Sequence, residues 1–175
     1  MERDSLATLP NLISLSRLVL GALFVLLRGS TERVLILAIA GATDFLDGYF
    51  ARTRGGASKL GALVDPIADR IFLLTAVSAL LFEGAIEGWQ FAILLLRDIM
   101  TVVGFVTARI IPWLRTVAFK SRFPGKVVTV MQLATLVFVL VAPAWINIAI
   151  ALLAVASVYS VGDYTLALWR ARARA

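Results

Sequence analysis

A chain of 175 residues that is 61% hydrophobic, with a mean hydropathy of +0.93, lies well above the apolar content of about 45 to 50% found in soluble globular domains. It has no cysteine and no histidine. That excludes disulfides, thiol nucleophiles, imidazole bases and His- or Cys-held metals, and leaves carboxylates to carry any acid, base or metal chemistry. The net charge of +6 comes from 17 basic residues set mostly in the breaks between apolar runs, a placement that speaks for membrane topology and against nucleic acid.

Six apolar runs follow one another at roughly 12 to 28, 32 to 53, 59 to 82, 88 to 111, 125 to 142 and 144 to 168, each long enough to cross a hydrocarbon core of about 30 Å. The sequence therefore predicts an all-α integral membrane protein of six transmembrane helices, with residues 1–175 forming a single domain. The opening "MERDSLATLPNLISLSR" mixes charges with apolar residues, so its start is expected to lie along the interface before the first span. Arg17 interrupts the first run and no small-residue cleavage pattern follows it, which argues against a signal peptide. If the helices alternate, one side collects Arg3, Arg17, Arg52, Arg54, Lys59, Arg115, Lys120, Arg122, Lys126, Arg170, Arg172 and Arg174. The positive-inside rule makes that side, with both termini, cytoplasmic.

The second and third runs contain "GATDFLDGYFARTRGGASKLGALVDPIADR", which sets four aspartates where an apolar chain least tolerates them. Asp44 and Asp47 are three residues apart and Asp65 and Asp69 four apart, so each pair shares one face of its helix. Asp44 lies ten residues before Arg54 and Asp69 ten after Lys59, which puts both about 15 Å from the connecting loop and level with one another in an antiparallel pair. Four unpaired acids near mid-depth cost on the order of 10 kcal/mol. Arg52 and Arg70 alone do not neutralise them, whereas one or two divalent cations do, and hard oxygen ligands select Mg²⁺, Mn²⁺ or Ca²⁺. Gly48, Ala51 and Gly61 strip the surface beside the acids of side chains, either for close helix packing or for a bulky ligand. Arg52 adds a donor suited to phosphate. Together these residues describe a diphosphate site.

The same residues resemble the signature of the CDP-alcohol phosphotransferases, D-x-x-D-G-x-x-A-R, eight residues, then G-x-x-x-D-x-x-x-D. Here it reads Asp44, Asp47, Gly48, Ala51, Arg52, the spacer "TRGGASKL", then Gly61, Asp65 and Asp69. The early "PNLISLSRL" and the later "GKVVTVMQ" are also similar to stretches of the family. The resemblance implies six membrane helices around a polar cavity open to the cytoplasm, in the inner membrane, and a homodimer. It implies transfer of a phosphatidyl group from CDP-diacylglycerol to an alcohol with release of CMP. Asp44, Asp47, Asp65 and Asp69 then look like ligands of two Mg²⁺ or Mn²⁺ ions, and Asp69 also like the base. Gly48, Ala51, Arg52, Ser58 and Gly61 would line the nucleotide site. An alcohol is a poor nucleophile at neutral pH and needs a nearby base, which in this chain must be a carboxylate.

The acceptor is read from the fourth and fifth runs. Arg97 and Asp98, in "LLLRDIM", fall inside a span, where ionisable groups are functional by default. A mutual structural pair is the alternative, although adjacent helical residues do not face one another. Phosphatidylglycerophosphate synthases resemble this region, with an arginine–acid pair and a "GK" matched by Gly125 and Lys126; CMP-forming cardiolipin synthases often carry the same "RD". Charge balance favours glycerol 3-phosphate, bound by Arg97 and Lys126 with Arg115 or Arg109, because a dianionic acceptor needs cations of its own. Phosphatidylglycerol and an inositol phosphate are the alternatives. Two readings from other classes compete: a divalent-cation transporter explains the acids but not Gly48, Arg52 and Gly61, and a lipid-binding scaffold explains the cations but not the acids.

Overall fold

The computed structural model describes residues 9–54, 61–110 and 123–172, with side chains placed over most of 14–43, 67–110 and 124–169. The described residues form α1 (Leu9–Leu26), α2 (Ser30–Arg54), α3 (Gly61–Phe82), α4 (Gly88–Ile110), α5 (Phe123–Val141), a 3₁₀ turn (Pro143–Trp145) and α6 (Ile146–Arg172). Each of the six predicted runs is a helix. Among the described residues, Pro124–Val141 and Pro143–Leu166 are long and apolar enough to cross a membrane. The expected interfacial start of the chain, residues 1–8, lies outside the described residues. The chain divides into two compact units, Met1–Ala85 and Ile86–Ala175.

In the first unit α1 packs against both α2 and α3. Ser14, Arg17, Gly21 and Phe24 recur at intervals of three and four and form the buried stripe of α1; Arg33, Ile36, Leu37 and Ala40 do the same on α2, and Ala68, Phe72, Ala76 and Leu80 on α3. Gly21 lets α1 come close to α3: a methyl group there would meet Phe72 and Thr75 at 3.7 to 3.8 Å, ordinary contact distance.

A polar clamp closes one end of this unit. The terminal carbonyls of α1 have no partners within their own helix, and Arg33, 3% exposed, supplies one from the next helix: its Nε donates to the carbonyls of Phe24 at 3.0 Å and Leu27 at 2.8 Å. The same guanidinium donates through Nη1 and Nη2 to the two carboxylate oxygens of Glu83, at 2.5 and 2.6 Å, and lies over the Phe24 ring. Glu83 stands there because α3 ends in a Schellman turn. Gly84 has φ of +72°, its amide donates to the Leu81 carbonyl, and the amide of Ala85 donates to that of Leu80.

In the second unit α4 and α5 both pack on α6. The start of α4 is capped by Gln90, whose side-chain oxygen accepts from the Glu87 amide at 2.9 Å and whose Nε2 donates to Asn147 at the start of α6. Leu94, Val128, Leu136, Ile150 and Leu153 fill the interior beside the buried polar residues Gln132, Thr135, Ser157 and Ser160. The surface carries Val102, Val103, Val106, Leu152, Val155 and Val158. Polar groups inside and branched apolar side chains outside invert the usual distribution of a soluble protein. Such a surface suits lipid, where backbone polar groups must be satisfied within helices.

Candidate active site

The acid signature lies on the first unit. The backbone of α2 carries Asp44, Asp47, Gly48, Ala51 and Arg52, and that of α3 carries Gly61, Asp65 and Asp69. Of these, only the Asp69 side chain lies within the described residues. Ser58 and Arg115 lie outside them altogether, as does the side chain of Arg109 on α4.

Asp69 is approached from α1. Arg17, 1% exposed, donates through Nη1 to Asp69 Oδ1, while its Nε lies 3.5 Å from Thr43 Oγ1. The Thr43 hydroxyl is itself oriented, donating to the Ala40 carbonyl at 2.8 Å. One guanidinium thus reaches both Asp69 on α3 and the residue immediately before Asp44 on α2. The Asp69 side chain is 39% exposed whereas that of Arg17 is 2% exposed, so the cation backs the carboxylate and leaves it accessible. The sequence shows Arg17 as a break in the first apolar run and as one of the cytoplasmic cations, without naming a partner for it. The signal is a charge midway along an apolar helix, which demands a partner.

The second group of candidates belongs to the other unit. Arg97 does pair with its neighbour: Nη1 donates to Asp98 Oδ1 at 3.1 Å. The expectation that adjacent helical residues stay apart holds for Cβ directions, but the long arginine side chain curls back to reach the shorter aspartate. Gln132 on α5 joins them, its Nε2 donating to Asp98 Oδ2 at 2.7 Å and to the Leu94 carbonyl at 2.6 Å. At the head of α5, Arg97 Nη2 lies 2.8 Å from where a Cβ on Gly125 would be. Lys126, the next residue, is exposed. Arg97 is therefore brought to Gly125, the residue before Lys126, whereas Arg109 sits twelve residues further along α4, about 18 Å of helix. Gln132 also escapes a reading of the sequence alone. It shares a face with Gly125 and Val128 and is a lone amide in an apolar stretch, a position that calls for a partner.

The sequence model of the CDP-alcohol phosphatidyltransferase family matches residues 7–161. A probable CMP-forming cardiolipin synthase of Drosophila melanogaster is 33% identical over 161 residues, covering 82% of this chain and 50% of the relative. A CDP-diacylglycerol–glycerol-3-phosphate 3-phosphatidyltransferase of Aquifex aeolicus is 35% identical over 100 residues, 54% of this chain and 56% of its own length. A probable phosphatidylglycerophosphate synthase of Mycobacterium tuberculosis is 36% identical over 110 residues, with coverage of 58% and 53%. The chain spans about half the length of these relatives.

Proposed function

We propose, since this chain belongs to the CDP-alcohol phosphatidyltransferase family, that it transfers a phosphatidyl group from CDP-diacylglycerol to glycerol 3-phosphate and releases CMP. The observation that carries the reading is Arg17, whose guanidinium reaches Asp69 and Thr43 on the two helices that hold the acid signature. Asp44, Asp47, Asp65 and Asp69 form an all-carboxylate donor set that fits Mg²⁺ or Mn²⁺. Two such ions, when bound, would neutralise the diphosphate and the departing CMP. Gly48, Ala51, Arg52, Ser58 and Gly61 line the nucleotide. Asp69 takes the proton of the acceptor hydroxyl as its oxygen bonds to the phosphatidyl phosphorus and the phosphorus–oxygen bond to CMP breaks. Arg97 and Lys126 hold the acceptor phosphate, with Arg115 as a further cation; Arg109, about 18 Å along α4 from Arg97, lies too far along the helix to join the same phosphate.

On this reading residues 1–175 work as one domain, supported by a family match that runs through both units. Six helices cross the inner membrane around a polar cavity open to the cytoplasm, where both termini lie. Support comes from the cations gathered on one side and from the outward-facing apolar surface. The working form is a homodimer, as the family resemblance implies. A second reading takes phosphatidylglycerol as acceptor and gives cardiolipin; the Drosophila relative's name favours it.

The test is a set of parallel assays with CDP-diacylglycerol and glycerol 3-phosphate, phosphatidylglycerol, an inositol phosphate or serine, with and without EDTA, scored by lipid product. Metal-dependent CMP release with phosphatidylglycerophosphate is expected. Cardiolipin as the main product would move the assignment to the second reading, and no CMP with any acceptor would overturn both.

A further inference from the structure

The guanidinium of Arg97 has two edges, and the fold treats them differently. Nη1 is engaged by Asp98, whose other oxygen is held by Gln132, and Gln132 is 1% exposed and anchored in turn on the Leu94 carbonyl. The remaining edge, Nε with Nη2, takes no hydrogen bond among the described residues; Nε is buried and has no partner. An ionised donor left unpaired is costly, and Nε with Nη2 is the pair of parallel donors that matches two oxygens of a phosphate. The neighbour facing Nη2 is a buried glycine, and any Cβ at Gly125 would come to 2.8 Å of that nitrogen, nearer than two such atoms settle without displacement.

We propose that Asp98 and Gln132 are positioning residues that turn Arg97 so that its Nε–Nη2 edge receives the phosphate oxyanion of the acceptor, and that Gly125 keeps that edge in place by lacking a side chain. This rests on the reading of Arg97 as an acceptor-binding residue. Both a phosphate monoester and the phosphodiester of a lipid acceptor present two oxygens to such an edge, so the shared chemistry is an acceptor oxyanion. Asp98 uses one oxygen for Arg97 and the other for Gln132, so loss of the Gln132 amide frees the carboxylate to swing, and the guanidinium with it.

The experiment compares Arg97→Lys, Gln132→Met, Gly125→Ala and the double variant Arg97→Lys/Gln132→Met in the full-length protein. Donor and acceptor KM are measured separately, with glycerol 3-phosphate in one arm and phosphatidylglycerol in the other. Methionine keeps the volume of Gln132 and removes its donors. Each single variant is expected to raise the KM of the true acceptor by about tenfold or more, the loss of one charge-assisted hydrogen bond, with donor KM within about twofold. In the double variant Gln132→Met should add almost nothing to Arg97→Lys, because lysine has no edge to orient. If Gln132→Met raised both KM values together, or kept its full effect when combined with Arg97→Lys, Gln132 would be structural and the proposal would fall. An unchanged acceptor KM in Gly125→Ala would overturn the role given to Gly125. Should Gln132→Met not accumulate, Gly125→Ala probes the same edge from the other side. An acceptor KM unmoved by Arg97→Lys in both arms would bring down the acceptor reading itself, a result distinct from a silent Gln132→Met beside an effective Arg97→Lys.

Discussion

Replacing Arg33 by methionine is expected to loosen the first unit without touching its chemistry. The substitution removes the donor from the buried Phe24 carbonyl at 3.0 Å and the bidentate contact to Glu83 at 2.5 and 2.6 Å. An orphaned buried carbonyl costs about 1 to 3 kcal/mol. The Glu83 side chain is 33% exposed and regains water, so its share is nearer that of a surface pair, about 1 kcal/mol at most. Loss of the cation from the Phe24 face adds roughly 0.5 to 1 kcal/mol. The whole comes to about 3 kcal/mol, which in a chain of this size lowers Tm by roughly 6 to 12 °C. Glu83 lies fourteen residues beyond Asp69 on the same chain segment, about 21 Å along the helix direction, so the rate of CMP release at low temperature should stay at the wild-type level. The assay is thermal unfolding in detergent for Arg33→Met, Glu83→Gln and the double variant. If Glu83→Gln destabilised the Arg33→Met background as much as it destabilises wild type, the two residues would not act as one clamp and the reasoning would be refuted.

Asp69→Asn should keep donor binding largely intact while turnover falls by about 10² to 10⁴, the usual contribution of a general base; collapse of donor affinity with turnover of bound donor preserved would make Asp69 a ligand alone. Asp44→Asn or Asp65→Asn should abolish CMP formation, and EDTA should do the same reversibly in wild type; full activity in EDTA would end the metal assignment. Hydrogen bonds from Arg33 hold the Glu83 carboxyl below its ordinary range against the opposing effect of burial, with the charges of Arg33 and Arg28 acting in the same direction. The resulting stability is present above the ordinary glutamate pKa of about 4.3 and is lost as pH falls through the lowered value, so acid should cost wild type more Tm than Glu83→Gln. Reporter fusions at both termini should read cytoplasmic, and a periplasmic or extracellular signal at either end would break the alternation of six spans.

The helices were legible because apolar runs of span length end where charges or turn residues cluster. Predicted and observed bounds differ by four residues at most, at the end of α6, where the apolar pattern fades before Arg172 while backbone hydrogen bonding continues. The acid signature was legible because its spacing is local, within two helices and one spacer. What sequence did not disclose is who meets whom across helices. Arg17 and Asp69 are 52 residues apart, and Gln132 and Asp98 are 34 apart; no periodicity within one helix names the partner on another. The Arg97–Asp98 pair was an alternative that the sequence left open, because helical geometry constrains Cβ directions but not the far end of a long, flexible side chain.

Arg17 also bears on how the protein enters the membrane. It lies midway along α1, fully shielded, and its counter-ion sits on a helix synthesised two elements later. If α1 spans the membrane, as the six-span reading has it, an arginine at its centre would oppose insertion by about 2.5 to 3.5 kcal/mol, and the ion pair with Asp69 on α3 would offset part of that cost. On that reading the seating of α1 and the packing of α3, the helix that carries Asp65 and Asp69, are energetically coupled steps of assembly.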